Sequence, residues 1–224
     1  EIFQRGNCVA FLGADERSVE AAAAAAVAHA KWANAPDIEP GQQGAAWLRG
    51  QPSDDRQYGA EVNPDAPGEV VEARFSRPYI AHASLAPSCA LAQFSGEHLT
   101  IWSHGQGMHP LRRNIAEVLE LPIEAITAKH LNGPGCYGHN GADDVALDVA
   151  IIAMHKPGSC IRLQWRREEE FGFEPFGPAM LVDLRVRLDE EGRPADWTAE
   201  VWSPTHVQRP GTGSGFLLAA AALP

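Results

Sequence analysis

Hydrophobic and polar residues alternate along several short stretches, which is the pattern of half-buried β-strands. The alternation is clearest over 98–103 and 126–131, and again in the pair 180–188 and 195–203. That pair flanks a polar segment containing Gly and Pro, so we expect a β-hairpin there. Further strands are predicted at 7–12, 69–75, 88–94 and 160–166.

Apolar positions at helical spacing predict three helices. They cover 16–32, where Asp15 is the expected N-cap and alanines 21–26 raise helix propensity, and then 110–120 and 143–155. The stretch 36–68 is rich in Pro and has little periodicity, which is typical of a linker. Helices and β-hairpins are mixed along the chain, and we therefore predict the α+β class, with mixed β-sheets and crossover helices.

A glycine-rich loop at 132–144 joins the strand 126–131 to the helix 143–155. Glycine permits positive φ and close approach of the backbone to a ligand, and free N–H groups at a helix start favour negative charge. A tight turn in which glycine only relieves crowding is the alternative, and the loop alone leaves both open. Gly133, Gly135 and Gly138 form G-x-G-x-x-G, but Pro134 interrupts it and no Gly-Lys-Ser/Thr follows, which disfavours dinucleotide folds and P-loops.

Composition and charge narrow the classes of partner. With 18 Lys plus Arg against 29 Asp plus Glu, the formal charge of −11 argues against a nucleic-acid or anionic-membrane surface. No apolar run is long enough to insert into a bilayer. The chain starts at Glu1 and stops at Pro224 without a cap, so we expect a piece of a longer polypeptide. No signal peptide is present, and cytoplasmic and periplasmic placement both stay open.

Charged and metal-ligating residues offer two further hypotheses. The charge run 166–170 is typical of a solvated turn. His104, His109 and His139 lie around two loops and suggest a zinc hydrolase, but they lack H-E-x-x-H or C-x-x-C spacing. A metal ligated directly by protein side chains is therefore disfavoured.

Three segments together resemble a known family. They are H-A-S-L-A-P (82–87), I-W-S-H-G-Q (101–106) and G-P-G-C-Y-G-H-N-G (133–141). The chain resembles the large, molybdenum-cofactor-binding subunit of the xanthine dehydrogenase and aldehyde oxidase family. The G-C-Y-G-H-N-G-A-D-D version is most similar to the bacterial branch that includes nicotinate dehydrogenase and isoquinoline 1-oxidoreductase.

The resemblance implies a domain order. Residues 1–35 would be the end of an N-terminal hammerhead-like domain, 36–68 a linker, and 69–224 the first molybdenum cofactor-binding domain, truncated at its C-terminus.

It also implies roles for six residues. Gln106 would hydrogen-bond an oxygen ligand of molybdenum through its uncharged amide. Tyr137 would present its backbone N–H to the metal's ligands and its ring to the substrate. The remaining cofactor-binding positions would be Gly135, Cys136, Gly138 and His139. No residue of the chain would ligate the metal directly.

Two departures from the family pattern accompany these roles. Cys136 stands where glycine is common, and Ala86 stands where the family commonly has a glutamate. No catalytic residue is implied within these 224 residues, because the family's general-base glutamate lies near the end of the full subunit.

The implied function is that of a molybdopterin-dependent dehydrogenase. It would hydroxylate an N-heteroaromatic or aldehyde substrate with oxygen from water. The implied cofactor is molybdenum–molybdopterin in its cytosine dinucleotide form, with iron–sulfur clusters on a partner subunit. Expected partners are that subunit and the remaining segments of the same large subunit, and the fragment alone is expected to be inactive. A non-catalytic module for subunit contact is the alternative.

Overall fold

The computed structural model describes residues 1–31, 33, 44–206 and 217–223. The strands are β1 (Ile2–Arg5), β2 (Cys8–Phe11), β3 (Glu69–Arg77), β4 (Cys89–Ser95), β5 (His98–Ser103), β6 (Ile126–His130), β7 (Cys160–Gln164), β8 (Met180–Leu188) and β9 (Pro194–Trp202). The helices are α1 (Glu16–His29), α2 (Ala45–Arg49), α3 (Met108–Leu119), α4 (Ala142–His155) and α5 (Arg167–Phe173). Within the described residues, short 3-10 helices cover Ile123–Ala125 and Leu218–Ala222.

The chain divides into two compact units. The first comprises Glu1–Ala35, Ala81–Pro175 and Val207–Pro224, and the second comprises Pro36–Ile80 and Phe176–His206. Each unit is built around its own β-sheet.

A four-stranded sheet in the order β6-β5-β4-β7 organises the first unit. β5 and β6 run parallel, while β4 is antiparallel to both β5 and β7. Ser103 at the end of β5 pairs with Ala90 and His130, and Cys89 at the start of β4 pairs with Gln164. The ends of β5, β6 and β7 and the start of β4 therefore lie at one end of the sheet. Three loops connect to the sheet at that end, namely 81–88, 104–107 and 131–141.

The core of the first unit is α4 packed on the sheet. Val145, Leu147 and Val149 are fully buried, as are Leu99 and Ile101 of β5. The helix is buried on nearly every side, which is typical of a mainly apolar helix enclosed by its own domain. α3 adds a second, amphipathic layer through its buried residues Leu111, Ile115 and Leu119. This core fixes the glycine loop, because that loop is the connection from β6 into α4.

The second unit contains a three-stranded antiparallel sheet in the order β3-β8-β9. Leu48 of α2 packs with Ala179 and Leu181 to form its small core. Buried Arg187 pairs with Asp196 at 3.0 Å and donates to the backbone carbonyls of Asn63, Pro64 and Ala66. The arginine thereby ties the segment before β3 to the sheet.

The predicted α+β class with mixed sheets is confirmed. The strands at 98–103 and 126–131 and the helix at 143–155 are each placed within a residue or so of their predicted bounds. The hairpin strand β1 was not predicted, and the predicted linker 36–68 contains α2 in its described part. The first helix ends at His29, and Trp32 lies outside the described residues.

The prediction of a solvated turn at 166–170 is wrong. α5 begins at Arg167, and Glu170 is completely buried within the first unit. Arg167 and Glu170 have partners in distant segments of the chain, which a local pattern does not reveal, whereas Arg166 pairs locally with Glu169. Over the described residues, no helix combines the length and apolarity needed to cross a membrane.

Candidate functional site

The glycine loop and the loop after β5 are joined directly. The N–H of Leu131 donates to the carbonyl oxygen of Ser103 at 2.9 Å. An added Cβ at Gly133 would overlap the side chain of His104. Parallel pairing of β5 and β6 thus continues past the strand ends and brings the two loops into contact.

The glycine loop is also joined to the loop before β4. The N–H of Leu85 donates to the carbonyl oxygen of Pro134 at 3.1 Å. The imidazole Nδ1 of His82 lies 3.0 Å from the backbone nitrogen of His139 and 2.7 Å from its carbonyl oxygen. Nδ1 accepts from the first group when unprotonated and donates to the second when protonated, so either tautomer ties the ring to the loop.

The centre of the glycine loop has an unusual backbone. Gly135, Tyr137 and Gly138 all have positive φ, at 89°, 53° and 147°. A left-handed tyrosine costs roughly 1–2 kcal/mol relative to ordinary conformations, so the surrounding loop must hold it there. Gly138 is required on steric grounds as well, because an added Cβ would overlap the imidazole of His82.

This backbone leaves several donors unused. The N–H groups of Gly135, Cys136, Tyr137 and Gly138 have no acceptor among residues 1–31, 33, 44–206 and 217–223. Successive N–H groups in left-handed and turn conformations form concave sites for anions and electronegative ligands. The loop therefore offers a row of neutral donors at the end of the sheet.

Side chains inside the loop hold it in this shape. Asn140 is buried, donates from Nδ2 to the carbonyl of Gly135 at 2.9 Å, and accepts from the N–H of Ala142 at 3.2 Å. The thiol of Cys136 donates to the carbonyl of Gly138 at 3.1 Å. Both side chains donate to carbonyl oxygens of the loop, and neither accepts from the N–H groups of residues 135–138. Sequence analysis missed Asn140, since a single Asn in a Gly-rich segment carries no distinctive signal.

Gln106 lies in the neighbouring loop and is exposed. Its side-chain amide has no hydrogen-bond partner within the described parts of the chain. The preceding Gly105 is buried, donates to Ser103 Oγ at 3.2 Å, and would bring an added Cβ within 2.7 Å of Asp143 Oδ1. The backbone before Gln106 is therefore fixed while its amide stays available to a ligand.

The predicted cofactor-binding residues are thus brought together in adjoining loops. Five of them are consecutive in the glycine loop, and the sixth, Gln106, follows the strand that pairs with β6. His139 differs from the others. Its N–H is engaged by His82, and its side-chain Nε2 lies 3.5 Å from Asp143 Oδ2.

The described histidines are not clustered in the way that a metal site requires. Burial lowers the pKa of His104, although Glu170 and Asp143 oppose the shift, so the imidazole is neutral near pH 7. Its Nε2 already accepts from the N–H of Cys89 at 3.2 Å. In the described portion of the chain, no group of three or more His, Cys, Asp or Glu residues is arranged to hold a metal ion.

Sequence analysis also missed two buried acids on and after α5. Glu170 contacts Ser88 and Gly141, and Glu174 contacts His82 and Ala83, so both touch the loops of the site. A spacing of four residues places them on one helix face, but only the tertiary fold shows what that face contacts.

A family model described as the molybdopterin cofactor-binding domain matches residues 59–208. The match spans more than half of the chain and includes all three loops.

Two curated relatives are similar over much of the chain. The chain is 35% identical over 150 residues to one of the subunits of nicotinate dehydrogenase from Pseudomonas putida, an alignment that covers 63% of this chain and 12% of that protein. It is 24% identical over 140 residues to PaoC, the molybdenum-binding subunit of an Escherichia coli aldehyde oxidoreductase, covering 59% and 18%. The chain therefore spans less than a fifth of either relative.

Solved structures share the fold. Quinoline 2-oxidoreductase from Pseudomonas putida 86 has a TM-score of 0.53 at 19% identity, covering 59% of this chain and 17% of that one. CO dehydrogenase from Oligotropha carboxidovorans has a TM-score of 0.52 at 15% identity, with coverage of 59% and 17%.

Proposed function

The chain belongs to the molybdopterin cofactor-binding domain family, as part of a molybdenum-binding subunit of the xanthine dehydrogenase and aldehyde oxidase type, and from this we propose that it helps to hydroxylate an N-heteroaromatic substrate or an aldehyde. The relative with 35% identity is named for nicotinate, and the second relative is named for aldehydes. Water would supply the oxygen, and two electrons would leave through iron–sulfur clusters on a partner subunit.

The free donors of the two joined loops are the observation that carries this proposal. Molybdopterin presents oxygen and sulfur atoms and a phosphate, and the unpaired N–H groups of the glycine loop suit such acceptors. Gln106 adds an amide that donates without bringing charge. When bound, the cofactor supplies the chemistry of oxygen transfer and two-electron acceptance.

Each residue of the site would then have a distinct role in binding the cofactor. Gly135, Cys136, Tyr137 and Gly138 would hold the cofactor through backbone N–H groups, and Gln106 would hydrogen-bond an oxygen ligand of the metal. His139 has its N–H occupied by His82. We therefore propose that His139 lines the cofactor with its side chain and fixes the end of the loop.

Two exposed apolar side chains favour an aromatic substrate. Leu85 is 79% exposed and Tyr137 is 62% exposed, and they stand on loops joined by the hydrogen bond from Leu85 to Pro134. A flat heteroaromatic ring would bury apolar surface against either side chain. We accordingly place the N-heteroaromatic class ahead of aldehydes.

The remaining assignments follow from the family resemblance. We propose the cytosine dinucleotide form of the cofactor, a general base from another segment of the same subunit, and an iron–sulfur subunit as partner. We also propose that 1–35 ends a hammerhead-like domain, that 36–68 is a linker, and that 69–224 belongs to the first cofactor-binding domain.

Isotope incorporation tests the reaction. The intact protein that carries this chain, with its partner subunits, would be given N-heteroaromatic acids or aldehydes, an artificial electron acceptor and water enriched in heavy oxygen. Mass spectrometry should find one heavy oxygen in a hydroxylated N-heteroaromatic product and at least one in the acid formed from an aldehyde, whose carbonyl oxygen also exchanges with water. The Gln106→Ala variant should lose most of the rate. Product oxygen drawn from dissolved O₂ would contradict the proposal, and so would the absence of product from both substrate classes.

A further inference from the structure

One face of α5 points into the loops of the site. Arg167, Glu170 and Glu174 are spaced three and four residues apart, and the N–H of Glu174 bonds the carbonyl of Glu170 at 2.9 Å, which continues the helical turn. Glu170 is 0% exposed and Glu174 is 2% exposed. Carboxylates are seldom buried so deeply unless specific donors meet them.

Glu170 joins the start of β4 to the end of the glycine loop. One carboxylate oxygen accepts from the N–H of Ser88 at 2.7 Å. The other accepts from Ser88 Oγ at 3.1 Å and from the N–H of Gly141 at 3.1 Å. Gly141 itself packs so closely on Trp165 that an added Cβ would overlap the indole ring. The carboxylate therefore meets donors from two separate loops.

Glu174 holds the other end of the loop before β4. Its Oε1 accepts from the N–H of His82 at 2.8 Å and lies 3.4 Å from the N–H of Ala83. Ala83 has a positive φ of 52°, a conformation that alanine adopts only when its surroundings impose it. Arg167 completes the face by donating to the carbonyl oxygens of Ser84 at 2.8 Å and Leu85 at 3.0 Å.

We propose that Glu170 and Glu174 are positioning residues that set the geometry of the two loops which hold the cofactor. The proposal rests on the proposed function only for the identity of the ligand that the loops bind. The way in which the glutamates hold the loops does not depend on that function. Glu174 fixes His82, whose ring contacts His139, while Glu170 fixes Gly141 beyond it. The glycine loop is thus held at His139 and again at Gly141.

A carboxylate is suited to this task because every group it meets is a donor. Hydrogen bonds from N–H and O–H groups to a charged acceptor are stronger than neutral ones. A glutamine at position 170 would keep the shape but turn an NH₂ group towards one of the donors, so that an N–H in the loop would lose its acceptor.

Hydrogen–deuterium exchange on the intact protein tests the proposal without using activity. Glu170→Gln and Glu174→Gln would be compared with wild type in the cofactor-free form, and molybdenum retention would be measured separately in the loaded form. Amides in 81–88 and 132–141 should exchange at least about tenfold faster in Glu170→Gln, the effect of one lost charge-assisted hydrogen bond. The increase should be smaller in Glu174→Gln, because Glu174 Oε2 has no hydrogen-bond partner among the described residues and a glutamine NH₂ group can take its place. Exchange in α3 and β5 should stay at the wild-type rate, and the variants should lose molybdenum faster.

Glu168→Gln is the matched control, because Glu168 is exposed on the same helix and accepts no hydrogen bond from any described residue. It should exchange and retain metal as wild type does. Loop amides that exchange at the wild-type rate in Glu170→Gln would overturn the proposal, and so would a uniform increase across the first unit. A wild-type protein that lacks molybdenum would contradict the proposed function alone, since the exchange result would still decide the role of the glutamates.

Discussion

Gly138 and Tyr137 show how single residues shape the candidate site. Tyr137 adopts a left-handed backbone that is strained for its type, and Gly138 adopts a φ of 147° while lying against the His82 ring. Both conformations turn backbone N–H groups away from internal partners, and such strain is commonly kept where a ligand is bound. Conformation at these residues, rather than charge, therefore defines the donor row.

Replacing Gly138 with Ala should destabilise the protein by about 2–4 kcal/mol, because it combines an unfavourable φ with overlap onto His82. Chemical denaturation of the intact protein measures the loss. Gly158→Ala is the control, since Gly158 also has a positive φ of 82° but has no atom within 4 Å of an added Cβ. Equal losses of unfolding free energy in the two variants would show that the overlap with His82 adds nothing to the cost of the substitution.

Asp148 should give the protein a distinct pH dependence. Burial raises its pKa to about 7, although Trp165 Nε1 donates to it at 3.2 Å and opposes the shift. The folded state then binds more protons than the unfolded state, so stability is present at acid pH and is lost as the pH rises from about 4 to about 7.

The Asp148→Asn variant should lack this loss. Its free energy of unfolding, relative to that of wild type, should rise by on the order of 2 kcal/mol between pH 5 and pH 8. Denaturation at a series of pH values measures this difference. The control Glu97→Gln removes a charge from the exposed turn between β4 and β5 and should keep the wild-type slope. Parallel profiles for wild type and Asp148→Asn would contradict the prediction.

At the scale of elements, the end of α3 is set by one residue. Glu120 follows the helix in a left-handed conformation with φ 55°, and its N–H caps the helix through Ala116 and Glu117. Glycine is the preferred residue at such a position because it carries no Cβ penalty.

Glu120→Gly should therefore stabilise the protein by up to about 1 kcal/mol. Glu117→Gly, the same substitution at an exposed position inside α3, should destabilise it by about 1 kcal/mol. Thermal or chemical unfolding distinguishes the two signs. A loss of stability in both variants would mean that the left-handed cap is not a feature of the folded protein.

Some elements follow from sequence and others do not, for physical reasons. β6 and α4 are predictable because the alternation in the first and the long apolar run in the second indicate burial from the element's own sequence. α5 is not, because Glu170 and Glu174 accept hydrogen bonds from N–H groups of residues far away in the chain, such as Ser88 and His82. The adjacency of Gln106 to the glycine loop follows from sequence only through the family resemblance. The parallel register of β5 and β6 supplies its physical basis.

At the scale of the whole molecule, we propose that the chain supplies one part of a larger site. It spans 12% of its nicotinate dehydrogenase relative, and we propose that the general base and further cofactor contacts come from other segments. The isolated 224 residues should therefore show no hydroxylase activity with N-heteroaromatic acids or aldehydes. A turnover assay of the isolated chain beside the intact protein checks this, and activity in the isolated chain would contradict it.

The central claim is that the two joined loops hold a molybdenum–molybdopterin cofactor. Metal and pterin analysis of the intact protein tests it most directly, by elemental mass spectrometry and by fluorescence of the oxidised pterin. We predict near-stoichiometric molybdenum and pterin in wild type, with both strongly reduced in Gly138→Ala. Intact protein that contains neither would contradict the account and favour a non-catalytic module, and stoichiometric zinc in their place would favour a hydrolase.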